Sequence, residues 1–434
     1  MENKDHILLH YNRPAWLKLN STAADIAECL DRNEPVKDIA NRLVQTYGIT
    51  FQAASEDVLS IQSQLNQLNF LTKTVPPTRS PKPQSVFFHL TTRCNLNCPH
   101  CYAGIGCDPP CNKRGEVNKD IPASIVCDLT DEMADNNGQF ITLSGGEPLV
   151  HPEFKKIVQH TSRKTGIQIL TNGTLINREW ADFFGDKNIS VQISLDGSEK
   201  KIHDAVRGRG SFDKAVRAVE YLQKAGLGKR LSFCTTIMNQ NLHDLHRIIS
   251  LTEKLGVRKL RFLPLRKIGS AEKEWNSISG TNIKEYERFF RQISDLQKNT
   301  GFDLTCGLSG FLLNIPKEIS DDEIWCPVGK KLVVDTDGAV YPCVLMMHDE
   351  FRIGNVFSES LTQLIQSEKM AMICDALATR RNKIEKCSGC HWRNFCQGGC
   401  MGQALDHKGT IWDVDDFCEY RKKVYKEAFD RILR

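Results

Sequence analysis

From Val86 onward, short apolar runs alternate with amphipathic stretches, and this alternation limits the possible folds more than any other feature. The runs at 86–90, 140–143, 167–171, 189–194, 231–237 and 259–264 read as strands. Helical patterns fall between them and again at about 282–299. Six strand–helix units predict a parallel sheet with right-handed crossovers.

Directly after the first of these strands stands Cys94-Asn-Leu-Asn-Cys98-Pro-His-Cys101, a C-x3-C-x2-C spacing. A [4Fe–4S] cube takes one thiolate on each of its four irons, so three cysteines leave one iron open to another ligand. A zinc knuckle would want a fourth Cys or His nearby. His100, Cys107 and Cys111 are close enough to keep that reading open for the triplet alone. Tyr102 follows the third cysteine, and farther on comes Phe140-Ile-Thr-Leu-Ser-Gly145-Gly146-Glu147-Pro148. Paired glycines admit close backbone approach to a ligand, and Glu147 offers a carboxylate for an ammonium group.

Together these residues resemble the radical S-adenosylmethionine (SAM) enzymes. The resemblance implies a partial (β/α)6 barrel, with SAM chelating the open iron and a 5′-deoxyadenosyl radical abstracting hydrogen from a substrate. It also implies an external electron donor such as flavodoxin or ferredoxin. In such barrels ligands sit at the C-terminal ends of the strands, where the Cys94–Cys101 loop and Gly145–Glu147 fall. By the same logic Ser194 and Asp196 are expected at the ribose hydroxyls. Arg207 is expected at the SAM carboxylate through its two-pronged guanidinium. Each could instead be a helix cap or a surface ion pair. Asn172 and Leu263 are weaker candidates, Leu263 for packing on adenine.

The chain has 434 residues, enough for two or three domains. With 40% hydrophobic and 25% charged residues and a net charge of +4, it offers no case for a nucleic-acid or membrane partner. The N-terminus lacks the basic and apolar regions of a signal peptide, and no apolar run has bilayer-spanning length. A cytoplasmic location is expected. Disulfides are rare there, yet there are seventeen cysteines, nine of them between Cys306 and Cys418 and one, Cys29, in the first 84 residues. Metal or cluster ligation accounts for that distribution.

Residues 1–73 read as a separate module. Ile7–Leu9 and Ala15–Leu19 suggest short strands, followed by helical patterns near Thr22–Leu30, Val36–Tyr47 and Ser55–Phe70. Asn20 or Ser21 can cap the first helix and Gly48 can end the second. This winged-helix-like order raises DNA binding, but seven Lys/Arg against nine Asp/Glu give the wrong sign for gripping phosphates. The stretch from Leu19-Asn-Ser-Thr-Ala through Asp38-Ile-Ala and Tyr47-Gly-Ile to Leu68-Asn-Phe-Leu71 resembles the PqqD-like peptide-recognition domain. There a leader peptide joins as an extra strand; a helical dimerisation module is the plainer alternative. Residues 74–84 are a Pro-rich linker. The barrel is assigned to 85–300 and a Cys-rich domain to 301–434.

In that last region Cys387-x2-Cys390-x5-Cys396-x3-Cys400 is followed by Cys418 and preceded by Cys326 and Cys343. A zinc ribbon is the rival, but the string resembles the SPASM extension, which binds two auxiliary iron–sulfur clusters. The resemblance assigns Cys387, Cys390, Cys396 and Cys418 to an outer cluster, and Cys326, Cys343 and Cys400 to an inner one. Some members carry an eighth Cys between the counterparts of Cys326 and Cys343; this chain has none there. The inner cluster then recruits Cys306 or keeps an open iron able to bind a substrate thiolate. Cys29, Cys127, Cys234 and Cys374 are expected in the core, and Cys107 and Cys111 either line a substrate channel or are incidental.

These resemblances span most of the chain and imply a maturase of a ribosomally made precursor peptide with a leader. Closure of a Cys sulfur-to-carbon thioether is the expected reaction. Carbon–carbon crosslinking of the PqqE kind, formylglycine formation and a non-catalytic zinc adaptor are the alternatives. No general acid or base stands out: Val344 follows Cys343, and Asp335 and Asp337 are only nearby carboxylates.

Overall fold

In the computed structural model the structure describes residues 4–71, 81–105, 118–136, 138–279, 284–285, 288–289, 302–306 and 326–434. Most of the candidate helix at 282–299, Cys107, Cys111 and most of the 74–84 linker lie outside the described residues; 284–285 and 288–289 of that candidate are helical.

Each of the six apolar runs forms a strand: β3 (Ser85–His89), β4 (Phe140–Ser144), β5 (Gly166–Thr171), β6 (Ile189–Ser194), β7 (Leu231–Ile237) and β8 (Lys259–Pro264). They lie side by side in chain order, every pair parallel. Every residue of β3 is buried, as expected of a parallel strand covered on both faces. In β7, Leu231, Phe233, Thr235 and Ile237 are buried on one face, while Ser232, Cys234 and Thr236 are half-buried on the other. Helices such as Ala123–Asp135, Phe154–Thr161 and Ser211–Lys224 bury Val126, Leu129, Ile157, Ala218 and Leu222 in the main core with the strands.

The sheet is longer than six strands. Beyond β8 lies β9 (Asp303–Cys306), parallel to it. Beyond β3 lies β10 (Lys331–Val334), also parallel, then β11 (Ala339–Tyr341) and β12 (Gly354–Asn355), both antiparallel. The ten-stranded sheet is therefore continuous across residue 300. Asp335, one residue beyond β10, reaches the same end of the sheet as the Cys94–Cys101 loop.

The N-terminal module pairs β1 (His6–Leu9) with β2 (Trp16–Leu19) antiparallel, His6 opposite Leu19. Three helices follow. Asn20 caps Ser21–Asp31, accepting from Ala23 N, and Gly48 ends Val36–Tyr47 in the left-handed conformation at φ 67°. The third helix begins at Phe51, four residues before the Ser55 expected from its apolar stripe, because Thr50 caps it. Ile26, Ile39, Leu43, Val58 and Leu65 form its own small core.

This module is docked on the Cys-rich region. Trp16 joins a cluster with Phe395, Tyr425 and Phe429, and Trp392 stacks on Phe429 at 5.1 Å. Asn394 Nδ2 donates to the carbonyls of His10 (3.0 Å) and Tyr11 (2.7 Å), and Arg381 donates to that of Asn12 (3.2 Å). Trp16→Ala is expected to remove about 3–5 kcal/mol from this contact. Limited proteolysis near residue 71 should then accelerate while the sheet keeps its thermal transition; an unchanged cleavage rate would refute the docking role. Among the described residues no helix is long and apolar enough to cross a membrane.

Candidate active site at the ends of the strands

The loop after β3 is held by its neighbours. Leu90 N donates to Ser144 O, Gly146 N to Thr91 O (2.8 Å) and Glu147 N to Arg93 O (2.9 Å). Gly145 has φ 121°, and a Cβ there would stand 2.6 Å from the Thr91 carbonyl oxygen; at Gly146 it would overlap the Arg93 carbonyl. Neither position tolerates a side chain. Arg93 grips Asp120 with two nitrogens, at 3.2 and 2.6 Å. From the far side, Ser270 N donates to Cys101 O (2.9 Å), and Gly269 at φ 61° leans on the carbonyls of Cys101 and Tyr102.

Glu147 is fully buried and both its oxygens are engaged. Oε1 accepts from the Thr171 hydroxyl (2.7 Å) and Leu149 N (3.3 Å), and Oε2 accepts from Asn172 N (2.9 Å). Burial nevertheless pushes its carboxyl up to about 7. Asn172 also donates through Nδ2 to Asn95 Oδ1 (2.9 Å), tying the end of β5 to the cysteine loop. The structure thus gives Glu147 and Asn172 a scaffolding occupation that the motif alone did not reveal.

Cys94, Cys98 and Cys101 influence one another electrostatically, as do Cys94 and Glu147. Burial pushes Cys94 up to about 12 and Cys98 up to about 11, so a metal taking these sulfurs must displace their protons. Beside them, Asp196 and Arg207 face each other. Arg207 Nε donates to Asp196 Oδ2 (2.6 Å), and Thr236 N donates to Oδ1 (2.8 Å). His100 completes the group: its Nε2 lies 3.3 Å from Asp196 Oδ2 and 3.3 Å from Arg207 Nη2. The sequence reading weighed His100 only as a zinc ligand; its place just before the third cysteine was the available signal. Cys234, expected among apolar neighbours, instead lies in the field of Arg261, Asp196 and Arg207. Cys127 and Cys374 are buried as expected. Ser194 and Leu263 are half-buried near the ends of β6 and β8.

A cavity of about 130 Å³ opens between these strand ends and the C-terminal region, with His89, Thr91, Tyr102, Gly145, Asp335 and Asp406 in its walls. His89 Nδ1 lies 3.2 Å from Asp335 Oδ1, and its Nε2 lies 3.0 Å from the Tyr102 hydroxyl. His89 went unnoticed in the sequence, although a histidine inside the apolar run Val86–Leu90 is a detectable irregularity.

Cys387, Cys390, Cys396 and Cys418 line one small hollow with Arg421 and Tyr425. Arg421 Nε donates to Cys396 Sγ (3.1 Å) while its Nη1 donates to the buried Asp415 (3.1 Å). Cys343 and Cys400 are electrostatic neighbours, and burial pushes Cys343 up to about 11. Arg380, wholly buried, donates to the carbonyls of Gly399 (2.8 Å), Ile411 and Asp413 and so fixes the knuckle backbone. Cys306 lies in β9 opposite Phe262. Among the described residues no three Cys, His, Asp or Glu side chains close to single-ion spacing. One zinc would draw four sulfurs to within about 4 Å of each other. Four thiolates in one hollow supply one sulfur for each iron of a [4Fe–4S] cube.

Comparison with known proteins agrees with this arrangement. The Radical SAM superfamily matches residues 88–252, an iron–sulfur cluster-binding domain (SPASM) matches 326–391, and coenzyme PQQ synthesis protein D matches 5–71. Mycofactocin maturase MftC of Mycolicibacterium smegmatis is 30% identical over 327 residues, 74% of this chain and 78% of that protein. The antilisterial bacteriocin subtilosin biosynthesis protein AlbA of Bacillus subtilis is 25% identical, covering 96% of this chain and 91% of AlbA. Among solved structures, Streptococcus suis SuiB bound to S-adenosylmethionine superposes with TM-score 0.64 at 15% identity, covering 96% of this chain and 99% of SuiB. SuiB has also been solved bound to its precursor peptide SuiA, with TM-score 0.63 at 15% identity, covering 92% of this chain and 93% of SuiB. A cysteine loop and glycine turn at the ends of parallel strands, a four-thiolate hollow and a docked N-terminal module thus have one common explanation: the chain belongs to the radical SAM superfamily, as a SPASM enzyme carrying a PqqD-type module.

Proposed function

We propose that this enzyme matures a ribosomally made precursor peptide by closing a bond from a Cys sulfur to a carbon of the same peptide. The observation that carries the reading is the docking of the PqqD-type module on the Cys-rich region of a chain whose cavity has room for about one side chain. A leader held on the module lets the core residues be presented to the cavity in turn. MftC, a maturase by name, and AlbA, a bacteriocin biosynthesis protein by name, support a peptide substrate.

Cys94, Cys98 and Cys101 would hold the SAM-binding cube. Tyr102, Gly145, Gly146, Glu147, Ser194, Asp196, Arg207 and Leu263 would shape the SAM site, Glu147 and Asp196 through the groups they hold. Cys387, Cys390, Cys396 and Cys418 would hold an outer auxiliary cluster, and Cys326, Cys343 and Cys400 an inner one. When bound, SAM and its cube supply one-electron chemistry that removes a hydrogen atom from an unactivated C–H bond. The chain's own residues position that bond, exclude solvent and handle protons. An external electron donor of the flavodoxin or ferredoxin type and a cytoplasmic setting belong to the same proposal. The free thiols among the described residues support the reducing compartment.

The missing eighth cysteine favours thioether over carbon–carbon closure, because an inner cluster short of one protein ligand can take a substrate thiolate. The test is anaerobic incubation of the reconstituted enzyme, SAM and reductant with the short peptide encoded beside its gene. The product should lose two hydrogens and one alkylatable thiol per closure. Loss of hydrogens with every thiol retained would point to a carbon–carbon bond, and an unchanged peptide mass would end the maturase reading.

A further inference from the structure

The far wall of the cavity carries a carboxylate with one oxygen unengaged. Asp406, on the helix Met401–Lys408, has a side chain 5% exposed and lines the cavity. Its Oδ1 lies 3.3 Å from His348 Nε2, while Oδ2 has no hydrogen-bond partner among the described residues. A buried carboxylate oxygen left unpaired is costly to keep, and Asp406 holds one in the wall of the cavity. His348 is 27% exposed and also lines the cavity.

We propose that Asp406 accepts a proton from the peptide residue seated in this cavity and that His348 passes it to water. The proposal rests on the peptide-maturase reading. Closing a bond at the cost of two hydrogens removes one as an atom and leaves the other to depart as a proton, while the one remaining electron passes to a one-electron acceptor, an oxidised auxiliary iron–sulfur cluster of the kind placed in the Cys-rich region under the proposed function. On the thioether reading that proton sits on sulfur: the S–H bond breaks, its electron pair stays on sulfur, and Asp406 becomes a carboxylic acid. The acid protonates His348, and the imidazolium releases its other ring proton to solvent. The relay moves no electron.

The surroundings suit this role. Burial raises the Asp406 carboxyl, and His348, Arg266 and His407 pull it back only in part. Arg266 lies on the segment after β8, His407 on the same helix as Asp406, and Trp275 packs against the His407 ring. Glu272 stands at the cavity from the helix Ser270–Ile278, and His89 and Asp335 pair on another wall. Lys and Arg are absent from the described cavity lining, and Arg266 acts on Asp406 from outside it. A carboxyl whose proton affinity burial has raised is a better proton acceptor than an ordinary one.

The experiment compares wild type, Asp406→Asn and His348→Ala on the synthetic precursor peptide, after the visible cluster spectrum has shown each protein to be loaded alike. Asp406→Asn should lower kcat by about 10²- to 10³-fold with KM little changed, and abolish the rise of kcat with pH. His348→Ala should lower kcat about tenfold, and imidazole in the buffer should restore it, which a merely structural role would not allow. Full kcat in Asp406→Asn, or no rescue of His348→Ala by imidazole, overturns the relay while leaving the maturase reading intact. A wild type that leaves the peptide unmodified brings down the reading and the relay together.

Discussion

Gly146→Ala should strip the enzyme of its SAM-binding iron while leaving most of the fold in place. The new methyl group would overlap the Arg93 carbonyl, which is backbone and cannot rotate away. Retreat is blocked on both sides. Gly146 N is bonded to Thr91 O and Glu147 N to Arg93 O, so moving either segment breaks a hydrogen bond. Arg93 is anchored to Asp120 and precedes Cys94, so the strain passes directly to the first sulfur of the triplet. Overpacking of this kind costs about 1–3 kcal/mol. The larger effect is geometric, since three thiolates must converge on one cube. Iron bound after anaerobic reconstitution should fall by roughly a third of the total if three cubes are normally present. Gly48→Ala is the matched control: it occupies a left-handed φ of 67° with open space around it, and should cost about 1 kcal/mol without loss of iron. Full iron in Gly146→Ala would show that the glycine turn does not position the cysteine loop.

What could be read from the sequence was local. Each of the six parallel strands is a contiguous apolar run, and each cysteine group is a contiguous spacing, so both survive without knowledge of the fold. The additional strands are short and their meaning is non-local. Lys331–Val334 is four residues long and becomes part of the sheet only by lying against β3, some 245 positions earlier in the chain. The same limit governs the site. Asp335 meets His89 because β10 is parallel to β3 in a set register, Val334 opposite Phe88. Asp406 reaches the cavity on the helix Met401–Lys408, just after the turn whose Gly399 carbonyl Arg380 holds. Glu147, Asp196 and Arg207 were found by motif, but their partners are set by neighbouring strand ends. Motif spacing names a residue without saying which of its atoms remain available to a ligand.

Arg207→Met should reverse the sign with which Asp196 links stability to pH. In the wild type, burial alone would raise the Asp196 carboxyl. The Arg207 guanidinium, with His100 and His203, more than offsets this and holds it below the ordinary carboxylate range. A depressed folded pKa contributes stability that is present above the unfolded value of about 4 and is lost as pH falls through the folded one. Methionine keeps the aliphatic stem and removes the charge. Asp196 is then a fully buried carboxylate with the Thr236 amide and His100 as neighbours, and burial lifts its folded pKa above the unfolded value. From that point stability is lost as pH rises. Breaking a buried pair on one side costs about 3–5 kcal/mol, so the variant should be weakened by that amount near neutrality and much less near pH 4, where Asp196 protonates in both states. Burial, together with Arg207, lowers His203 to about 4, so it stays neutral through most of this window in the wild type. Removing Arg207 lifts one of the two main causes of that lowering, while burial, the larger one, remains. Urea unfolding of the metal-free protein across this range would reveal the crossover. Arg207→Met/Asp196→Asn should regain most of the neutral-pH stability, since it leaves no charge to compensate. A deficit in Arg207→Met that stays constant with pH would mean that lost packing, not the unpaired Asp196 carboxylate, accounts for the damage.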